Sequence, residues 1–321
     1  MSPKPEYGAI NRDTTQSGIA LALPHCEESP LVNIGIKLDL GFSAAPAWRE
    51  LLGDADVAEA LKALGVRAAE TPLGPETDMQ GVLDHARRCR DAGLRLSLHP
   101  YSERTAANPA HFERRDDNLC LLMHKQVLEL AATLARKQRQ RLVVNMHPAA
   151  ARAAPGDRSE LLERSVAFFA WCREICAGLD GDVHPVAELQ IAPNPDEQLL
   201  RIGDRFDELE QIVQRSGVDA CWDFGHGILN ARRYGGPDRP DRELLARISH
   251  VHCHDVHHHD HEPLRYGTVP WHDYLLMLYA HGFDGTVILE VPAEQFIARG
   301  GRDDLERSIG ALQAWIAQRG G

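Results

Sequence analysis

The feature that most constrains this chain is an alternation. Short β-branched or apolar runs at residues 32–40, 66–70, 94–99, 141–147, 183–190, 218–223, 248–255 and 286–291 are separated by longer segments of helical periodicity. Such alternation marks a parallel sheet wrapped by helices. Helices are expected at residues 57–64, 119–139, 159–177, 196–216 and 272–281, with Gly65, Gly93, Gly178, Gly217 and Gly282 as stop signals. Eight strand–helix repeats in 321 residues predict a (β/α)8 barrel, a TIM barrel, as one domain over residues 31–321, preceded by an N-terminal arm at residues 1–30. An open doubly wound sheet is the weaker alternative, because no G-x-G-x-x-G follows the first run and no phosphate-binding P-loop pattern occurs. The Gly-, Pro- and Arg-rich stretch at residues 232–242 is a candidate lid or partner-contacting insertion.

Residues of metal-ligand type fall at the ends of these runs. From the third run onward they are His99, His147, Glu188, Asp223 with His226, His252 with His254 and Asp255, and Glu290. In a barrel all eight C-terminal strand ends open on one face, so these residues converge. Taken singly, His99 before Pro100 and His147 before Pro148 read as packed, hydrogen-bonded side chains. Glu188 and Glu290 close apolar runs, where a carboxylate must be paired or bound to metal. Gly225 is expected to turn the backbone sharply and bring His226 back toward Asp223. His257, His258 and the acids at residues 207–210 read as solvated. Glu188, Asp223, His252 and Glu290 together offer three carboxylates and one imidazole to a single divalent ion, a set that suits manganese, magnesium, cobalt or zinc. His99, His147, His226 and His261 add donors for a second or third ion, zinc or iron above all.

Charge narrows the partners. With 35 Lys and Arg against 47 Asp and Glu, the formal charge is −12 and the basic residues are dispersed, which disfavours a grip on nucleic acid. No run approaches the roughly 18 apolar residues of a membrane span, and no basic start with an apolar stretch opens the chain, so a cytoplasmic protein is expected. Seven scattered cysteines without a C-x-x-C pair read as buried thiols. Cys172 and Cys176 share a helix face but lack a second ligand pair for zinc.

The motifs D-F-G-H at residues 223–226, H-V-H-C-H-D at 250–255, H-E-P-L-R-Y-G-T-V-P-W at 261–271 and V-I-L-E at 287–290 resemble those of the xylose isomerase-like barrels. That family includes sugar phosphate isomerases and epimerases and the endonuclease IV class of apurinic endonucleases; the resemblance covers roughly residues 33–292. It implies Glu188, Asp223, His252 and Glu290 as metal ligands and His226 as a contact to substrate oxygens. In the epimerase branch it implies that Glu188 and Glu290 act as the acid/base pair, one removing a proton next to a metal-chelated carbonyl and the other returning it through an enediolate. His226 and His261 would orient hydroxyls and Arg265 would receive a phosphate or carboxylate, with His254, Asp255, Asn194 and Trp271 as further substrate contacts. The expected substrate is a small carbohydrate or sugar acid, and a homodimer or homotetramer is expected from the resemblance alone.

Two positions depart from the family pattern: Arg265 stands where many relatives have a second glycine, and Asn194 where ketose epimerases carry an acid. The alternative is a multinuclear zinc or iron hydrolase of the endonuclease IV type. The resemblance implies His99, His147, Glu188, Asp223, His226, His252, His261 and Glu290 for its metal set; His259 stands where it implies an aspartate, so that either the His259 imidazole substitutes or Asp260 moves in. A metal- or sugar-binding barrel without turnover is the third reading.

Overall fold

The structure, a computed structural model, describes residues 32–42, 45–152, 157–194, 196–257 and 259–319. The expected arm at residues 1–30, and His258, lie outside them. Eight parallel strands form a closed barrel: β1 (Asn33–Lys37), β2 (Ala68–Leu73), β3 (Arg95–Pro100), β4 (Leu142–Met146), β5 (Val183–Glu188), β6 (Asp219–Asp223), β7 (Ile248–Cys253) and β8 (Thr286–Leu289). Each pairs with its sequence neighbours, and β1 closes the ring on β8 through Asn33↔Thr286 to Ile36↔Leu289. All eight expected runs are therefore strands. The second extends to Leu73, which puts Glu70 mid-strand.

The period of two along a strand sorts the side chains. Leu96, Leu98, Val144, Trp222 and Val251 are buried toward the helical layer. Lys37, Glu70, Ser97, His99, Asn145, Glu188, Asp223, His250, His252 and Glu290 have the opposite parity and touch one another across the barrel. The upper interior is thus a polar column. Charges so placed are tolerated only when paired or coordinated.

Helices at Val57–Ala63, Leu119–Gln138, Arg158–Gly178 and Trp271–Ala280 lie close to their expected bounds. The expected helix at residues 196–216 begins only at Phe206. Gly203 is left-handed, and Leu200–Arg201 pairs instead with Ala150–Ala151. Gly178 is the last helical residue and the chain leaves through an extended Leu179, whereas Gly65, Gly93, Gly217 and Gly282 take the left-handed conformation that stops a helix. The 232–242 stretch is no separate insertion. Its first three residues end the helix Phe224–Tyr234, Arg242 starts the helix Arg242–Leu245, and Asp238 between them accepts a 2.9 Å hydrogen bond from Tyr274. Glu208, expected on a solvated face, is buried against Arg158. Cys172 and Cys176 sit on one helix, where burial raises both thiol pKa values, Cys176 to about 12. Among the described residues no helix is long and apolar enough to cross a membrane.

Candidate metal centre

Glu188, Asp223, His252 and Glu290 come from the ends of β5, β6, β7 and β8 and are all buried. One ligand atom from each lies within 4.8 Å of the others. The Nδ1 of His252 is the hub, 2.7 Å from Glu290 Oε2, 3.5 Å from Glu188 Oε1 and 3.8 Å from Asp223 Oδ2. This nitrogen, together with the Nε2 atoms of His99 and His226, is buried without a hydrogen-bond partner. Buried polar atoms are normally satisfied, so unpaired imidazole nitrogens aimed at carboxylates fit a divalent cation.

Local structure holds each donor. Asp223 caps the helix Phe224–Tyr234, its Oδ1 accepting from the His226 amide at 2.7 Å; His254 Nε2 lies 3.0 Å from Oδ1 and 3.2 Å from Oδ2, and Oδ2 faces His252 Nδ1 at 3.8 Å. Gly225 works differently from expectation. It has no left-handed backbone; the His254 ring occupies the space where a side chain would begin. Glu188 Oε2 accepts from Asn145 at 2.5 Å and lies 3.1 Å from His99 Nε2. On the other glutamate, Oε1 accepts from Lys37 at 3.2 Å and Tyr101 at 3.1 Å while Oε2 faces His252 and His261. Lys37, Tyr101, Asn145 and Glu70 were not singled out in the sequence. All four share the inward parity of the donors on their strands: Lys37 and Glu70 lie on the first two strands, Tyr101 just past the third and Asn145 in the fourth.

Charge dominates the titration of the cluster. Burial favours the neutral form of Glu188, but His252, His147 and His99 outweigh it and hold the carboxyl well below its usual range. Glu290 is depressed in the same way, burial being overcome by His252, Lys37 and His261. The His252 imidazole is driven up despite burial by Cys221, Glu290, Glu70 and Glu188. Burial is likewise outweighed at His226, raised to about 9 mainly by Asp223 and Asp260, and at His261, raised to about 10 by Glu290 and Asp260. His147 runs the other way, lowered because burial exceeds the pull of Glu188.

Of the further donor groups among the described residues, His99, His147 and Glu188, and Asp223, His226, His254 and His261, take in the remaining expected donors. Asp260 lies 3.1 Å from His261 Nδ1 and 3.5 Å from His226 Nε2, while His259 is exposed. His261 adopts φ 56°, a left-handed conformation unusual for a residue with a side chain.

The remaining expected contacts are held elsewhere. Asp255 accepts from the amides of Val256, Gly267 and Val269, which ties down its own loop. Arg265 pairs with Asp304 at 2.8 Å and Asp303 at 3.4 Å on the helix Arg302–Ala317. Trp271 is buried at the start of its helix and stacks on His272. Both nitrogens of His254 are engaged, by Asp223 and by the His261 amide. The Asn194 backbone N–H donates to Glu197 Oε2 at 3.2 Å.

The chain belongs to the xylose isomerase-like TIM barrel family, which it matches over residues 58–318. No curated protein sequence is significantly similar to it. Among solved structures it resembles a D-tagatose 3-epimerase-like protein, with a TM-score of 0.58 and 18% identity over 89% of this chain and 97% of that one. It also resembles a D-allulose 3-epimerase from Methylomonas sp. in complex with D-allulose, with a TM-score of 0.60 and 15% identity over 91% and 98%. A 3-keto-D-glucoside 4-epimerase from E. coli gives a TM-score of 0.58 and 13% identity over 89% and 99%. At these identities the likeness establishes the fold.

Proposed function

We propose that this chain is a divalent-metal-dependent sugar epimerase or isomerase in which Glu188 and Glu290 exchange a proton with the carbon beside a carbonyl. The observation that carries this reading is the convergence of Glu188, Asp223, His252 and Glu290 within 4.8 Å, with an unpartnered imidazole nitrogen among them. Two of the solved structures it resembles are a D-allulose 3-epimerase in complex with D-allulose and a 3-keto-D-glucoside 4-epimerase, so a ketose or keto-sugar is the first substrate class to try. A divalent ion held by these four residues supplies Lewis acidity toward adjacent hydroxyl and carbonyl oxygens.

The protein's own groups do the rest. Each glutamate has one oxygen fixed, Glu188 by Asn145 and Glu290 by Lys37 and Tyr101, so its carboxylate is oriented before substrate arrives. One takes the proton from carbon and the other returns it, giving inversion; return at the neighbouring carbon gives aldose–ketose isomerisation. His226 Nδ1 bonds the Leu189 carbonyl at 2.9 Å, which leaves the buried Nε2, 3.5 Å from Asp260 Oδ2, as the nitrogen that would orient a hydroxyl.

The test is incubation of metal-replete protein with ketoses, aldoses and keto-sugar acids in D₂O. Deuterium should enter one C–H position, and Glu188→Gln or Glu290→Gln should slow its entry by about 10²–10⁴-fold. Absence of exchange with every sugar would defeat the proposal, and sugar binding without exchange, kept at full affinity in Glu290→Gln, would favour a binding barrel.

A multinuclear hydrolase is the second reading, favoured by the His99–His147–Glu188 group and by Asp260 beside His226 and His261. Two or three tightly held zinc or iron ions, with cleavage of an abasic-site oligonucleotide, would decide for it.

A further inference from the structure

Beneath the four donors lies a carboxylate that neither reading employs. Glu70 sits mid-strand in β2, 1% exposed, in register with Lys37 of β1 and Ser97 of β3. Its Oε1 is 2.5 Å from His252 Nε2, and its Oε2 is 2.7 Å from His250 Nε2 and accepts from Ser97 Oγ at 2.9 Å. Three partners thus fix both oxygens. A carboxylate oxygen accepts, so the short Glu70 contact places the hydrogen on His252 Nε2 and the lone pair on Nδ1; Asn145 Nδ2, 3.2 Å from the same Nε2, donates to Glu188 Oε2 at 2.5 Å instead. The two ring nitrogens point away from each other, so the same contact aims Nδ1 at Glu188, Asp223 and Glu290.

We infer that Glu70 is the positioning residue of the metal centre: it selects the tautomer and ring orientation of His252, and Ser97 and His250 hold it in place for that task. The inference rests on His252 being a ligand, as proposed above.

Comparison within the site supports it. His99 and His226 also have one nitrogen anchored, but by the backbone carbonyls of Asn145 and Leu189, each at 2.9 Å. His252, the hub of the donor set, is anchored by a buried carboxylate, which raises ligand basicity as well as fixing direction. Glu70 also belongs to a donor group with His99 and His252, but it meets His252 at Nε2 and so cannot share an ion bound at Nδ1.

The test is Mn²⁺ titration of the full chain by calorimetry, with the absorption spectrum of the Co²⁺-loaded protein as a second readout. Glu70→Gln should weaken Mn²⁺ binding by about 10–100-fold and shift the Co²⁺ bands while the far-ultraviolet circular dichroism is unchanged. Ser97→Ala, which leaves the carboxylate but removes one of its holds, should weaken binding by about 2–5-fold in the same direction. A folded Glu70→Gln protein with wild-type affinity and spectrum would overturn the inference. So would loss of one whole equivalent of metal with the remaining sites unaffected, since that would make Glu70 a ligand. If Glu70→Gln does not fold, wild-type affinity in Ser97→Ala overturns it. His252→Ala separates the two claims: unchanged Mn²⁺ affinity in that variant sinks the donor set, whereas dependence on His252 with indifference to Glu70 sinks only the positioning role.

Discussion

Histidines occupy two regions of this protein and behave oppositely in them. In the helical layer, His85 bonds Thr71 at 2.6 Å beside Cys89, and His124 bonds the Cys120 carbonyl at 2.8 Å and packs edge-on against Phe168. Burial lowers both imidazoles to about 4, and it raises the Cys89 thiol to about 12. These are neutral core side chains. In the barrel interior, the buried His252 and His226 and the partly buried His261 are raised, because carboxylates face them. Burial alone therefore does not fix the direction. For these three the facing carboxylates outweigh it, whereas at His147 burial exceeds the pull of Glu188.

The contrast breaks first at the ligands. His252→Ala should lower Mn²⁺ affinity by more than about 100-fold and abolish deuterium exchange, whereas His124→Leu should leave both unchanged. Metal loss in His124→Leu would erase the distinction. Next in size is a charge cluster of the helical layer neutralised by arginine. Arg158 holds the buried Asp204 and Glu208, and Arg158→Met should cost about 3–5 kcal/mol in urea unfolding by leaving them unpaired.

The packing histidines carry a pH signature. Their folded values lie near 4 against an ordinary value near 6.5, so between these limits the unfolded chain binds more protons. Each then contributes about 3 kcal/mol that is fully present above pH 6.5 and is lost as pH falls toward 4. Denaturation curves over that interval should flatten by this amount in His124→Leu; an unchanged slope would mean His124 is not kept neutral. The depressed carboxylates of the barrel act in a lower window, beginning only below about pH 4.5.

Smaller again, Gly225→Ala should cost about 1–3 kcal/mol by driving a methyl into the His254 ring, and should loosen metal binding through Asp223. Removing the exposed Arg87–Asp84 pair by Asp84→Ala should change stability by less than about 1 kcal/mol.

Much of the architecture was legible because it rests on local periodicity. The β-branched runs, the intervening helical patterns and four of five glycine stops recur at their expected places. Where the reading failed, a tertiary preference overrode a local one. The pattern at residues 196–216 is helical throughout, but Leu200 and Arg201 find a strand partner 50 residues earlier in Ala150 and Ala151. Glu208 lies in an acidic string, yet Arg158 from another helix buries it.

The site divides in the same manner. His99, His147, Glu188, Asp223, His226, His252 and Glu290 are candidate donors because each falls at or just beyond a strand end, and the barrel gathers them, with His261 from the loop after β7, into adjoining groups. Arg265 and Asp255 drew notice for their chemistry, but the loop and the last helix already claim their charges. No spacing could reveal this, since the partners of Arg265 lie nearly 40 residues away.

Sequence alone determined the repeat, the strand count and which residue types stand near each strand's end, because these follow from side-chain parity and helix periodicity over a few residues. The direction of each imidazole lone pair, the oxygen of each glutamate that is left free, and the place of Glu70 beneath His252 were decided only when the sheet closed. Those choices are made by groups 27 to 253 residues apart, brought within hydrogen-bonding distance in an interior too dry to leave a charge unanswered.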